Sequence, residues 1–128
     1  MSDFKTLKVW AKAHELTIDT FRIATQMRGP GSAIIRAQWL RSITSVPTNI
    51  AEGSGKQSDA EFIRFLRIAL GSLTESEYHL ILCRDLRLIS SKDFDAANEK
   101  TQAAGKMLAS LIRALAQRQA EFRKRVVT

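Results

Sequence analysis

The sequence holds a single cysteine, Cys83, so no disulfide can close within the chain and the fold must rest on packing. It has no apolar run near the ~20 residues that a membrane span requires. Its first residues, Met1-Ser2-Asp3-Phe4-Lys5, lack the apolar stretch and small residues of a secretory signal. The expectation is a protein of the reducing cytoplasm with no membrane partner. Glycine and proline are scarce, six and two in 128 residues, and five of those eight sit in Gly29-Pro30-Gly31 and Gly53-Ser54-Gly55. Between these breaks nothing alternates as a strand would. Acidic residues are the minority charge, 13 against 20 Lys and Arg, which leaves a net charge of +7. That surplus suits nucleic acid, RNA or DNA, or another polyanion as a partner through phosphate attraction. A basic surface that only aids solubility would have the same composition.

What is present is enough for one domain. A chain of 128 residues can enclose a core without a structural metal, and 45% hydrophobic with 26% charged residues is globular composition, not that of a disordered chain. Two glycine-bearing breaks and the polar Ser90-Ser91 divide it into four segments, each long enough for a helix. In the first, Phe4, Leu7, Ala11, His14, Ile18, Phe21 and Thr25 recur at three- and four-residue steps, which predicts a buried seam. The same steps join Ile35, Trp39, Ser42, Val46 and Ile50 in the second segment. They join Phe62, Leu66, Ala69, Leu73, Ser76, Leu80 and Cys83 in the third, and Phe94, Ala97, Thr101, Ala104, Leu108, Leu111, Leu115 and Phe122 in the fourth. Four seams call for one shared core. The expected fold is all-α, an antiparallel up-down-up-down four-helix bundle over residues 1–118, followed by a basic C-terminal tail at 119–128.

Local signals mark the boundaries. Ser58-Asp59-Ala60-Glu61 is a capping box for helix three, and Ser32 and Ser90 or Ser91 are expected caps for helices two and four. Gly53 or Gly55 is expected to end helix two in the left-handed conformation. Pro47 removes a hydrogen bond from a helix interior at a cost of about 3 kcal/mol and predicts a kink rather than a stop.

Helix one is apolar around too much of its circumference for a lone bundle. Val9, Ala13, Leu16 and Ile23 lie away from its predicted seam and are assigned to a subunit interface. On helix two, Gln38, Arg41, Ser45, Asn49 and Glu52 form a polar stripe, read as a solvated face or a subunit contact because no nucleophile–base pair accompanies it. Glu75 and His79 share a face but lack the repeated carboxylates of a bundle metal site, so no metal or other cofactor is expected. His14 falls in the first seam and is read as a core imidazole. Gly53-Ser54-Gly55-Lys56 follows a helix, not a strand, and is a turn rather than a phosphate loop. Cys83 lies on a buried seam and counts as a small hydrophobe.

By segment the net charge is +4 over residues 1–58, −1 over 59–87, +1 over 88–117 and +3 over 118–128. The cations proposed to touch phosphates are Arg64, Arg67, Lys106, Arg113, Arg118, Arg123, Lys124 and Arg125. No aromatic residues are interleaved with them, so the binding expected is electrostatic and salt-sensitive.

Two stretches carry a family resemblance. They are Ser45-Val46-Pro47-Thr48-Asn49-Ile50-Ala51-Glu52-Gly53-Ser54-Gly55 and Phe62-x-x-Phe65-Leu66-x-Ile68-Ala69-x-Gly71-Ser72-Leu73-x-Glu75. With Phe4-x-x-Leu7-x-Val9-Trp10-x-Lys12-Ala13-His14-x-Leu16, the chain from residue 4 to about 117 resembles the 23S rRNA intervening-sequence proteins. The resemblance implies a ring-shaped homopentamer and no established enzyme. It extends to the accessory variability determinant of diversity-generating retroelements, which implies association with nucleic acid. The loop Met27-Arg28-Gly29-Pro30-Gly31 departs from the family pattern, and the tail after Arg118 lies outside it. The reading that results is a non-enzymatic homo-oligomeric scaffold that binds nucleic acid. The alternative is a protein-interaction scaffold that binds none.

Overall fold

The computed structural model describes residues 3–127; Met1 and Ser2 of the first-residue reading and Thr128 of the tail lie outside it. A 3-10 turn, Phe4–Thr6, leads into α1 (Lys8–Ala24), α2 (Ser32–Ser54), α3 (Asp59–Asp85) and α4 (Ser91–Val127), with no strand among the described residues. Each helix packs against two others, α1 and α3 both lying between α2 and α4, while the backbones of the diagonal pairs stay apart. This is the antiparallel up-down-up-down bundle, with the α2–α3 contact the most extensive.

The core has two sections. Val9, Ala13, Leu16, Ile43, Val46, Ile50, Leu66, Ala69, Leu73, Ala104, Leu108 and Leu115 belong to the larger, at the end holding the α2–α3 turn. Ala24, Met27, Trp39, Leu80, Cys83 and Ala97 fill the smaller, beneath the other two loops. The seams expected for helices two, three and four are largely those buried, except that Phe122 is exposed.

Helix α1 is turned the other way. Val9, Ala13 and Leu16 are 5%, 0% and 1% exposed, whereas Ile18 and Phe21 are 45% and 39% exposed and His14 is on the surface. Val9, Ala13 and Leu16 are therefore core residues, and Ile23 is half-buried against the smaller section, so none of the four is the free subunit face expected of them. Beside Val9 and Leu16 the buried face carries a row of small side chains, Ala13, Thr17, Thr20 and Ala24. The Thr17 and Thr20 hydroxyls are buried at little cost because they donate to the Ala13 and Leu16 carbonyls at 2.8 Å each.

Helix ends follow local chemistry. The Glu61 N–H donates to Ser58 Oγ at 3.2 Å and the Asp93 N–H to Ser90 Oγ at 3.1 Å, so both serines cap as expected. The Glu61 carboxylate turns to Arg64 instead of closing the box. Ser32 does not cap α2; the N-cap is Gly31, with φ +79°. The last carbonyl of α1 and one in the loop after it are taken by α2, since Arg36 donates to Ala24 O at 2.9 Å and Met27 O at 2.6 Å. Helix α3 ends at Asp85, and two residues on the chain turns at Arg87, a non-glycine residue at φ +59°, with the Leu88 N–H closing back to Cys83 O at 2.9 Å.

Gly53 does not end α2 in the left-handed region, and Gly55 has φ −86°. Gly53 is needed for closeness: a Cβ there would lie 2.6 Å from Phe65 Cβ and 3.0 Å from Phe62 Cδ1. Pro47 is buried within an unbroken α2. Its missing N–H frees Ile43 O, which the Thr17 hydroxyl of α1 approaches to 3.4 Å. Helix α4 runs through Arg118 to Val127, so the basic tail is its last turns.

Candidate nucleic-acid interface and subunit faces

Antiparallel order brings distant segments to one end of the bundle. Residues 3–12, 52–67 and 106–127 meet there, tied by the contact of α2 at Gly53 with Phe65 of α3. Arg118 of α4 closes the same end, donating to both carboxylate oxygens of Asp59 at 2.7 Å. That pairing holds the Asp59 carboxyl below its ordinary range, the Arg118 hydrogen bonds being the chief cause. These segments carry twelve Lys and Arg against five Asp and Glu, whereas 13–51 and 68–105 carry eight of each. The whole net charge of +7 therefore sits at one end.

Every cation proposed from sequence belongs to that end. Arg64 pairs with Glu61 at 3.2 Å and lies over the Phe65 ring at 4.5 Å, so its guanidinium is stacked as well as paired. Arg67 is exposed. Lys106 lines a shallow groove of about 380 Å³ with Leu7, Lys8, Val9, Met107, Ser110 and Leu111. Arg113 reaches only Ser110 Oγ of its own helix, at 3.2 Å. Arg123, Lys124 and Arg125 are exposed on the last turns of α4. Arg118 is held by a carboxylate of another helix, and it serves as a tie between α3 and α4.

The polar stripe of α2 runs along the outer edge of the α2–α3 contact, half-buried at Ser45 and Asn49 and exposed at Gln38, Arg41 and Glu52. The hydroxyls of Ser45 and Ser72 of α3 share a hydrogen bond at 2.9 Å, and Asn49 donates to Ser45 O at 2.8 Å and to Ser45 Oγ at 3.0 Å. Arg41 donates to Gln38 Oε1 at 2.7 Å and reaches Glu75 of α3 at 3.4 Å. Four of the five residues thus join α2 to α3 or to each other, and Glu52 alone of the stripe turns to a different groove. Glu75 and His79 do share a face, at 3.5 Å. Among the described residues no cluster of three His, Cys, Asp or Glu could hold a metal. Burial pushes the Cys83 thiol up to about 11, and its hydrogen points at Met27 Sδ, 3.7 Å away, which leaves it unreactive.

Sequence reasoning missed the outward face of α1. Trp10 and His14 stack with ring centroids 4.8 Å apart and planes 10° from parallel, and Phe4 meets Trp10 edge-on at 5.0 Å. With Pro47, Thr48, Ala51 and Glu52 of α2 they line an open groove of about 560 Å³. The four-residue spacing of Trp10 and His14 was the signal that could have found it, masked by placing His14 in the core.

Fold and site together define an all-helical bundle protein with a strongly polar charge distribution and no assembled catalytic constellation among the described residues. The sequence profile of the 23S rRNA-intervening sequence proteins matches residues 5–110, and the chain belongs to that family. It is similar in structure to a protein of unknown function from the S23 ribosomal protein family of Bacteroides thetaiotaomicron, with a TM-score of 0.74 and 29% sequence identity over 81% of this chain and 97% of that one. No curated protein matches. No helix among the described residues is long and apolar enough to cross a membrane.

Proposed function

We propose that the chain is a subunit of a cytoplasmic homo-oligomer, a pentameric ring, that acts without catalysis as a scaffold and binds nucleic acid, RNA in particular, through the basic end of the bundle. One observation carries the binding part: seven net positive charges are collected on one end while the other is balanced. A polyanion gains from such a surface by releasing counterions, and it needs no base-specific contact to do so. Arg67, Lys106, Arg113 and Arg123 pair with no carboxylate among the described residues and are open to phosphates, whereas Arg118 would have to leave Asp59. Support for assembly comes from α1, whose Ile18 and Phe21 are apolar and uncovered in the single subunit.

The test is the salt dependence of binding to a labelled single-stranded RNA. Replacing Arg67, Lys106, Arg113 and Arg123 together by glutamine is expected to flatten the slope of log affinity against log salt by about 0.7 for each phosphate no longer neutralised. Replacing Arg28, Arg84, Arg87 and Lys92 at the balanced end should leave it unchanged. Equal slopes for the two variants would refute the interface.

The alternative, a scaffold that engages another protein and no nucleic acid, has its own support in the outward apolar residues of α2 and α3. Ile34, Ile68 and Tyr78 are 72%, 42% and 57% exposed. Partner capture that survives nuclease treatment, with no shift of RNA at low salt, would favour it.

A further inference from the structure

The groove between α1 and the C-terminal part of α2 has features that the electrostatic reading leaves unused. Its floor is aromatic: Trp10 and His14 are already stacked in parallel, and Phe4 closes one edge. A planar ring laid on that stack extends it, and stacking of this kind is indifferent to sequence because every base has a π-face. Apart from the ring nitrogens of Trp10 and His14, its polar side chains are those of Thr48 and Glu52. The Thr48 hydroxyl is spent on Thr44 O at 2.8 Å, inside its own helix. Glu52 is exposed on the groove wall; its charge is felt at Arg64, but it makes no hydrogen bond or ion pair among the described residues. A carboxylate only accepts. The ligand edge that suits it presents two adjacent N–H donors, which among the common bases is the N1–H and N2–H edge of guanine. Adenine, cytosine and uracil each place an acceptor beside their donor on that edge.

We propose that this groove is a binding site for a single unpaired guanine, laid on the free face of the Trp10–His14 stack with its Watson–Crick edge on the Glu52 carboxylate.

An arginine side chain of a partner protein would offer the same pair of donors and would also stack. Charge decides between them. The groove opens at the end that holds the net +7, and an arginine-bearing partner would add positive charge there, whereas a nucleotide brings a phosphate. Lys5 stands at the rim, its Nζ 5.1 Å from the centre of the Phe4 ring and 3.4 Å from Asp3, an exposed pairing that a phosphate can displace. The inference deepens the nucleic-acid reading, because it adds one base-selective contact to an interface that otherwise senses charge.

The two can fail separately. The probe for the site is guanosine 5′-monophosphate, with the adenosine, cytidine and uridine monophosphates as comparisons and N-acetylarginine amide as the rival. Binding is followed by the fluorescence of Trp10, since Trp39 is buried at 1% exposure and shielded from quenching. The expected result is quenching by the guanine nucleotide at roughly tenfold lower concentration than by the others. Glu52→Gln should abolish that preference while leaving the weak stacking of all four. His14→Ala, at an exposed ring, should weaken all four alike and leave the core packing untouched. Equal binding of the four nucleotides, no binding at millimolar concentration, an unchanged preference in Glu52→Gln, or tighter binding of the arginine amide would each overturn the proposal. A uridine-only oligonucleotide tests the electrostatic interface alone. Its failure to bind, with guanine selectivity intact, would remove the broader reading and keep the site.

Discussion

Leu16 and Ile18 have isomeric side chains two residues apart, so cutting each to alanine deletes the same number of carbon atoms and differs only in where they were. Leu16 is 1% exposed in the larger core section; Ile18 is 45% exposed on the outward face of α1. Truncating a fully buried leucine removes its transfer free energy and leaves a cavity, a loss of about 2–5 kcal/mol. Truncating Ile18 opens no cavity, forfeits roughly half the transfer term, and regains a few tenths of a kcal/mol in helix propensity, a net cost of about 1 kcal/mol or less. With a urea m-value near 2 kcal/mol/M, the unfolding midpoint should fall by about 1–2.5 M for Leu16→Ala and by under about 0.5 M for Ile18→Ala. Far-UV circular dichroism in urea reads both. The titrations should be run at two protein concentrations, because association through Ile18 would add a term that grows with concentration. A loss for Ile18→Ala equal to that for Leu16→Ala at the lower concentration would show that α1 faces the core with its other side.

Gly53→Ala should destabilise the bundle by about 1–3 kcal/mol although alanine is the better helix former, because the new Cβ would lie 2.6 Å from Phe65 Cβ; an unchanged melting curve would refute the close approach. The Asp59–Arg118 pair gives a pH signature. A carboxyl held below its ordinary 3.8 when folded adds stability above that value and loses it as pH falls through the lower folded value. The gap in stability between the native chain and Asp59→Asn should therefore be full at neutral pH and close as pH falls through the lowered folded value; a gap independent of pH would sink the assignment. The Cys83 thiol, pushed up to about 11, should resist an alkylating reagent at pH 8 in the native protein and react on unfolding, and prompt native labelling would contradict its burial.

Helices two, three and four each have one dominant apolar face, with only scattered apolar residues such as Ile34, Ile68 and Tyr78 outside it, and their steps of three and four residues therefore identified the buried side. Helix one has two. The larger residues Phe4, Ile18 and Phe21 favoured one face in a reading by hydrophobicity, while the face buried in the bundle is the one lined by Val9, Ala13, Leu16, Thr17, Thr20 and Ala24. Thr17 and Thr20 add little to a hydrophobic pattern, and their hydroxyls are buried by donating to Ala13 O and Leu16 O within their own helix. The stripe on α2 was legible as a stripe, but Ser72 and Glu75, which it meets, lie some thirty residues away on another helix. The same holds for the charge. Segment by segment the surplus looks spread out, and only the folding of residues 3–12, 52–67 and 106–127 onto one end gathers it. The caps at Ser58 and Ser90 were readable because their partners are three residues off.

The uneven charge of a single subunit has a consequence for the ring proposed above. Rotation about a cyclic axis turns every subunit the same way, so whatever component of the charge asymmetry lies along that axis is repeated at each position and never cancelled. Such a ring would be a two-faced disc. A long polyanion could lie across one side in many registers while the other side stayed electrically quiet, which would give the assembly a direction that no individual contact specifies. A two-fold dimer pairing these ends head to head would instead set basic surface against basic surface, and the resulting repulsion weighs against that arrangement.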